Sequence, residues 1–301
     1  MTDEFVYKYI RVPGLLSNEE SVKKLLGSSV QLEMRSISYE KLLNHRITFS
    51  DISCFNDPFE CNCNLILPDN YELSNKPKER ENNFRMLKWE LGGKIKEQCH
   101  REYRVACLTN RFDNPVMWSH YALVYYGICV AYKRSDILEA VGTQLLKAEK
   151  VKYCSETLSL SGIKLTKAFP KPRFTLTNDP INEEQLLNVM FTKAKDWEYE
   201  QEWRVAIKTI PEPICINEYL EEKDKNYLYC NINRDESGHS HRSYFKIKKY
   251  YEFSCIPHKI YFVGNPVKTD RFWDEIKSCI PNAEMIEMYP DTNEFKYSCS
   301  K

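Results

Sequence analysis

Three glutamates occupy every second position in one short segment of the chain, and an arginine follows them: Glu198, Glu200, Glu202 and Arg204. In an extended strand alternate side chains point to opposite faces, so these four residues would share one face. Neighbouring carboxylates would then lie about 6–7 Å apart. Buried carboxylates that close raise each other's pKa, and a cation, a metal or a cationic transition state relieves the repulsion. The pattern is equally typical of a solvated acidic strand edge in which Arg204 neutralises one glutamate.

Glu202 is the first candidate for a catalytic carboxylate, and Glu200 is the second. Glu202 directly precedes the apolar run Trp203–Ile207, so a strand there would hold its carboxylate firmly. The acidic pattern that opens the segment 179–195 predicts a helix leading into this strand. Trp203 would lie on the face opposite the glutamates and be buried against that helix.

The segment Met117–Ala122 combines a stacking surface, an acid–base group and a phenol donor: Trp118, Ser119, His120 and Tyr121. Imidazole titrates near neutral pH, so His120 is a candidate catalytic residue. The other three are candidate substrate-binding residues, because aromatic rings stack on ligands and phenols donate hydrogen bonds. The alternative is a half-buried aromatic turn in which a backbone carbonyl satisfies His120.

Two earlier segments offer further ligand-binding side chains. These are Tyr7, Tyr9 and Arg11 in the first strand and Asn56, Asp57 and Glu60 in the turn Phe55–Glu60. Asn and Asp favour local backbone hydrogen bonds, and Pro58 forces the preceding residue into an extended conformation. The turn is therefore also interpretable as a rigid structural element, and the first strand as an amphipathic sheet surface.

Strands and helices are intermixed along the chain rather than regularly alternating. Apolar alternation predicts strands at 5–12, 46–50, 103–109, 127–132 and 259–263. We find no internal repeat and no linker. The chain is therefore predicted to be a single α+β domain over 1–301, with a central twisted, mostly antiparallel sheet and flanking helices. Its core covers about 5–265, and 266–301 add a C-terminal helix and strand.

The composition of the chain argues against several classes of function. The 301 residues carry 43 basic and 43 acidic side chains, and the resulting net charge of zero argues against extensive binding to nucleic acid or an anionic membrane. Neither a P-loop nor a dinucleotide-binding glycine pattern is present. The start of the chain does not look like a signal peptide, and no apolar run reaches the ~18 residues of a membrane span. These features predict a cytoplasmic protein without a membrane partner.

Cysteine and histidine spacing predicts no metal site. The twelve cysteines form no C-x-x-C pair, and without secretion they are expected to be reduced thiols. His239 and His241 are the one close histidine pair, and they lie in a segment without recognised ligand spacing.

Taken as a set, the motifs resemble a bacterial family of unknown function, DUF2971. They are Tyr7–Tyr9, Phe55–Glu60, Met117–Ala122 with Gly127–Tyr132, Trp197–Arg204 and the closing strand Ile260–Gly264. The resemblance covers roughly 5–265 and implies an accessory protein of bacterial defence or mobile elements.

The layout is more loosely similar to that of ADP-ribosyltransferases, in which a late glutamate enters a strand. That resemblance implies an ADP-ribosyltransferase-like fold and NAD as substrate, with Glu202 stabilising an oxocarbenium-like ribose. Aromatic side chains would stack on nicotinamide, and Arg11 or Arg204 would meet a phosphate. The acceptor would be a protein or a nucleic acid. The usual Ser-Thr-Ser strand is absent, and 119–121 would replace it.

Two other hypotheses remain open. The first is a non-catalytic sensor whose aromatic and acidic clusters bind a nucleotide, another small molecule or a protein segment. The second is a metal-dependent nuclease in which carboxylates hold Mg²⁺: Asp57, Glu60, Glu200 and Glu202.

Overall fold

The computed structural model describes most of the chain. The described residues are 4–12, 37–65, 77–122, 127–160, 165–168, 173–176, 182–220, 224, 226–234, 241–263, 271–291 and 297–299.

Strands dominate the described part. They are β1 Phe5–Arg11, β2 Arg46–Ser50, β3 Cys63–Leu65, β4 Tyr103–Thr109, β5 Gly127–Lys133, β6 Leu145–Lys150, β7 Lys152–Cys154, β8 Leu158–Leu160, β9 Leu165–Ala168, β10 Arg173–Leu176, β11 Thr192–Ala194, β12 Glu202–Lys208, β13 Glu212–Ile214, β14 Tyr227–Arg234, β15 His241–Lys248, β16 Tyr250–Ser254, β17 Lys259–Val263, β18 Glu284–Pro290 and β19 Tyr297–Cys299. The α-helices are α1 Ile37–Leu43, α2 Pro77–Glu102, α3 Pro115–Tyr121, α4 Arg134–Val141, α5 Glu183–Met190, α6 Ile216–Leu220 and α7 Arg271–Cys279. The 3-10 helices are Ile52–Cys54, Gly142–Gln144 and Lys195–Glu200.

The main sheet has ten strands within the described residues. Its order is β16-β2-β4-β1-β5-β17-β18-β19, and β12 joins β4 to β6 beside this path. All pairs in this sheet are antiparallel except β17 with β18. Helices accompany this mixed, mostly antiparallel sheet, so the prediction of a single α+β domain is confirmed.

The main sheet divides at β4. One edge of β4 pairs along its whole length with β12, from Glu202 opposite Thr109 to Lys208 opposite Tyr103. The other edge is shared, because β1 meets it at Thr109 and β2 meets it at Val105. Each of these two strands pairs with this edge at one described position only. We call the space between β1 and β2 beside β4 the fork.

Apolar layers cover both faces of the sheet. Val6 and Ile10 of β1 pack in one layer with buried residues of α1, α4 and α7. Tyr9, which points the other way, packs with Trp118 of α3. Buried residues of α2 and α5 form a further layer with Ala206 of β12.

The predicted strand through the glutamates is wrong in its first half. The helix α5 ends at Met190, and the following segment Lys195–Glu200 forms a 3-10 helix rather than a strand. Two hydrogen bonds to backbone carbonyls stabilise this helix. Asn114 Nδ2 donates to Tyr199 O at 2.7 Å, and Thr109 Oγ1 donates to Glu200 O at 2.5 Å. Both donors lie far away along the chain, so local alternation could not reveal them.

Trp203 is buried, as predicted, but it does not pack against the preceding helix. It lies in the apolar layer of Val6 and Leu108, and the guanidinium of Arg134 lies 5.3 Å from its ring centre. The opposite face of β12, which carries Arg204 and Ala206, is the one that meets α5.

Two further expectations concern membrane-spanning helices and the state of the cysteines. No helix within the described ranges is long and apolar enough to cross a membrane. All twelve cysteines are free thiols.

Candidate functional site

A cavity of about 330 Å³ occupies the fork. It lies where β1 and β2 separate beside β4, so the interrupted pairing of the sheet creates the space. The cavity brings together predicted site residues from four distant segments of the sequence: Tyr7, Tyr9, Asn56, Tyr121, Glu200, Glu202 and Arg204.

The guanidinium of Arg204 is saturated by protein acceptors. Its Nε and Nη2 donate to the two carboxylate oxygens of Glu202 at 2.8 and 3.1 Å. Its Nη1 and Nη2 donate to the carboxylate of Glu60 at 2.6 and 3.0 Å. The remaining N–H of Nη1 donates to Met190 O. All five donors of the guanidinium are used, so Arg204 has none left for a ligand phosphate.

Lys193 connects the two predicted catalytic glutamates. Its Nζ lies 2.6 Å from Glu200 Oε2 and 3.4 Å from Glu202 Oε2. With Glu60 and Arg204, these residues form a buried network of three carboxylates and two cations. If all five groups were ionised, the network would carry one net negative charge.

A left-handed residue lets Glu200 and Glu202 approach the same lysine. Gln201 has φ 42° and ψ 49°, between the 3-10 helix and β12. This conformation turns the chain sharply, so the two glutamates do not simply alternate along a strand. Asn110 holds the turn, because its backbone N–H and its Nδ2 both donate to Gln201 O, at 3.1 and 2.9 Å.

The two glutamates differ in their protonation. Burial raises the pKa of Glu202, but the charge and hydrogen bonds of Arg204 outweigh burial and lower the pKa to about 2. Burial also raises the pKa of Glu200, and Lys193 only partly offsets that, so the pKa of Glu200 stays above its ordinary value. Glu202 is therefore a fixed anion, whereas Glu200 can exchange a proton closer to neutral pH.

A chain of hydrogen bonds leads from the surface to Glu200. Asn56 Nδ2 donates to Tyr121 Oη at 2.7 Å, and Tyr121 Oη donates to Glu200 Oε1. Burial, and then the hydrogen bond to Glu200, raise the pKa of Tyr121 above its ordinary value. The phenol therefore stays protonated and serves as a donor.

The other predicted site residues do not line the cavity. Exposed His120 receives a hydrogen bond from Arg11 at its carbonyl, and its Nδ1 lies 3.1 Å from Tyr199 Oη. Ser119 is exposed, while Trp118 is buried and donates to the carbonyl of Phe112 at 2.8 Å.

The predicted turn Phe55–Glu60 has mixed roles. Asp57 is buried and accepts a hydrogen bond from the backbone N–H of Phe59 at 2.8 Å. It therefore stabilises the turn, as the interpretation of this segment as a rigid structural element expects. Glu60 is paired with Arg204, while Asn56 lies at the cavity.

Among the cavity residues that sequence reasoning missed are three polar ones that matter for its chemistry: Lys8, Thr48 and Lys193. A signal for Lys193 was present, because three clustered glutamates can be buried only beside cations. Lys8 lies between Tyr7 and Tyr9 on the opposite face of β1, where the sequence pattern predicted no ligand-binding side chain.

The described residues contain no group of three or more His, Cys, Asp or Glu side chains arranged to hold a metal ion. Three of the acids in the nuclease hypothesis, Glu60, Glu200 and Glu202, instead bind Arg204 or Lys193.

The fold and the site define an α+β protein with a charged cavity at a division of its main sheet. A family model described as a protein of unknown function (DUF2971) matches residues 117–205, which is under a third of the chain. The matched segment includes Tyr121, Lys193, Glu200, Glu202 and Arg204, so it contains all of the buried charged network except Glu60. The match supports the predicted similarity to this family. No curated protein and no solved structure matches the chain.

Proposed function

We propose that the fork cavity binds a small molecule and that Glu200, rather than Glu202, is the carboxylate that acts on it. The observation that supports this proposal is that the two acids, which line one cavity, have different hydrogen-bond partners. Glu202 accepts two hydrogen bonds from Arg204 and a third from Lys193, whereas Glu200 accepts two in all, one at each oxygen, from Tyr121 and from Lys193. A carboxylate oxygen has two lone pairs, so each oxygen of Glu200 keeps one for a ligand.

The ligand that we favour is NAD, with cleavage of the bond between ribose and nicotinamide. Nicotinamide would leave with the electron pair of that bond, and the ribose would become oxocarbenium-like. An ionised Glu200 would stabilise this positive charge, as carboxylates do in glycosidases. Water or an acceptor group would then attack the anomeric carbon, and Glu200 would take the proton of the attacking group.

The lining and size of the cavity support a ring-containing ligand. Phe55, Tyr7 and Tyr121 supply aromatic rings at its wall. A volume of about 330 Å³ lies at the lower end of ligand pockets, about 300–1,000 Å³. It therefore suits the nicotinamide–ribose half of NAD, with the remainder of the molecule outside the cavity. A transferase of this kind would modify a protein or nucleic acid, in the bacterial defence setting that the family resemblance implies.

The test is incubation of the pure protein with adenine-labelled NAD, with and without cell extract. Glu200→Gln keeps the size of the side chain and leaves two carboxylates facing two cations, so it should fold normally. Glu198→Gln is the matched control, because Glu198 is exposed on the same 3-10 helix. We expect a loss of at least 100-fold in NAD consumption or label transfer for Glu200→Gln and no change for the control. Equal rates in wild type and Glu200→Gln would reject the assignment.

A non-catalytic sensor is the second candidate. It is favoured by the hydrogen bonds that both oxygens of Glu200 already accept, since a carboxylate held in this way also suits rigid recognition. Calorimetry distinguishes the candidates: a sensor would bind NAD or nicotinamide without consuming it. Absence of both binding and turnover would reject both candidates for this ligand.

A further inference from the structure

Lys8 is a cation of the fork cavity without a counter-ion. Lys8 lines the cavity, and its side chain makes no hydrogen bond or ion pair with any described residue. The other two cations at the cavity, Lys193 and Arg204, are each paired with two carboxylates. Lys8 is therefore the exception in a site where positive charge is otherwise compensated.

The surroundings of Lys8 explain why its isolation is unfavourable. It leaves β1 on the same side as Val6 and Ile10, which are buried in an apolar layer. Burial lowers the pKa of Lys8, and no neighbouring carboxylate reverses that effect. An ammonium group in such a place is stabilised by any anion that can enter beside it.

A second polar group in the same cavity also lacks a partner. Thr48 is more than nine-tenths buried on β2, and its hydroxyl oxygen has no hydrogen-bond partner within the described structure. Buried hydroxyls are nearly always hydrogen-bonded in proteins, so an unsatisfied one at a cavity indicates a missing acceptor or donor. Lys8 and Thr48 lie on the two strands that border the fork, and both line its cavity. Lys8 leaves β1 on the face of the apolar layer, whereas Thr48 leaves β2 on the opposite face, because its neighbours Ile47 and Phe49 belong to that layer.

We propose that Lys8 and Thr48 form an anion-binding subsite of the fork cavity, which takes a phosphate or carboxylate group of the ligand. Two carboxylates, those of Glu200 and Glu202, also line the cavity and would disfavour an anion beside them, so Lys8 would fix the orientation of the ligand. Ser38 and Ser50, whose side chains also line the cavity, provide further hydroxyl donors. This inference deepens the proposed function, since it rests on the cavity being a ligand site, and it does not require NAD or any reaction.

The experiment uses inorganic phosphate and acetate as separate probes and measures binding by NMR of protein with isotope-labelled lysine side chains. We expect phosphate or acetate, or both, to shift the Lys8 signal and to raise its pKa, and the stronger probe identifies the anion class. Lys8→Met should weaken binding of that probe at least tenfold. Lys152→Met, which removes an exposed lysine on β7, should leave it unchanged.

Thr48→Val provides a second variant that keeps the size of the side chain. It should weaken binding of the same probe several-fold, while its melting temperature stays equal or rises because an unsatisfied hydroxyl is removed. Failure of both anions to bind the wild type, or equal binding by wild type and Lys8→Met, would overturn the subsite. Glu200→Gln should retain anion binding, so loss of NAD consumption in that variant tests the proposed function separately.

Discussion

The charged side of the fork cavity and the Lys8 side differ in whether their polar and charged groups have partners. On the charged side, three carboxylates are paired with two cations through short contacts: Glu60, Lys193, Glu200, Glu202 and Arg204. On the other side, Lys8 and the hydroxyl of Thr48 have no described partner. Both sides are at least partly buried, so burial alone does not mark a functional group. The difference in pairing indicates which groups stabilise the protein and which are left for a ligand.

Glu200 lies between these extremes. Its carboxylate belongs to the charged network through Lys193, yet it has no contact with Arg204 and its pKa is raised rather than lowered. It is the third acid beside two cations, so removal of its charge brings the network closer to balance. This position makes Glu200 the member of the network that can change without loss of the fold.

The largest expected effect is on the network itself. Arg204→Met should lower the free energy of unfolding by about 3–5 kcal/mol, because Glu60 and Glu202 would remain buried without their shared counter-ion. Chemical denaturation measures this loss. Lys208→Met is the control, since Lys208 lies on the same strand in an exposed ion pair with Glu183 and should cost less than about 1 kcal/mol. Equal losses in the two variants would show that the network does not stabilise the fold.

The opposite face of the same strand gives a measure of apolar packing. Trp203→Ala should also cost about 3–5 kcal/mol, because it leaves a cavity in a buried layer. Denaturation of this variant beside Arg204→Met compares the two faces of β12 directly. An unchanged melting temperature for Trp203→Ala would contradict the burial of its ring.

Acid should lower the free energy of unfolding, because it protonates Glu202 of the charged side. Its pKa in the folded protein is about 2, below the ordinary value of 4.5. The stabilisation is therefore complete above pH 4.5 and is lost as pH falls towards 2, with a total on the order of 3 kcal/mol. Unfolding free energies measured across this range should fall more steeply for wild type than for Glu202→Gln. Equal slopes would mean that Glu202 is not a stabilised anion.

Removal of the unpaired charge of Lys8 should instead raise the free energy of unfolding. Lys8→Met deletes a partly buried ammonium without a counter-ion, so we expect the free energy of unfolding to rise by about 0.5–2 kcal/mol. Differential scanning calorimetry without added anions measures this gain. Addition of the binding anion should narrow the difference, because it stabilises wild type alone. A loss of stability in Lys8→Met would indicate that Lys8 has a structural role.

The fold class could be predicted because its signals are local. Strands near 5–12, 46–50, 103–109 and 127–132 follow from apolar alternation, and β1, β2, β4 and β5 lie there. The fork could not be predicted, since it depends on which strands share an edge of β4. The sequence contains no local pattern that specifies two partial partners for one strand.

The site was predictable in its residue types but not in its pairing. Glu60 and Arg204 are 144 positions apart, and their ion pair is invisible in the sequence. The choice of Glu202 as catalytic acid depended on its place at the start of an extended segment, and β12 does begin at Glu202. The 3-10 helix and the sharp turn at Gln201 direct Glu200 and Glu202 to a common lysine, while Arg204 binds only Glu202 of the two.

The smallest expected effect concerns that turn. Gln201 adopts a left-handed conformation, which glycine accepts freely and β-branched residues resist. Gln201→Gly should change the free energy of unfolding by less than about 0.5 kcal/mol, because relief of the strained φ and the extra freedom of the unfolded chain offset each other. Gln201→Val should lose about 1–2 kcal/mol. Because the side chain of Gln201 is exposed, lost packing does not account for that difference.

If the turn is what separates the roles of the two glutamates, Gln201→Val should also reduce ligand binding in the fork cavity, whereas Gln201→Gly should retain it. Equal stability and equal binding in both variants would show that the turn does not determine the geometry of the site.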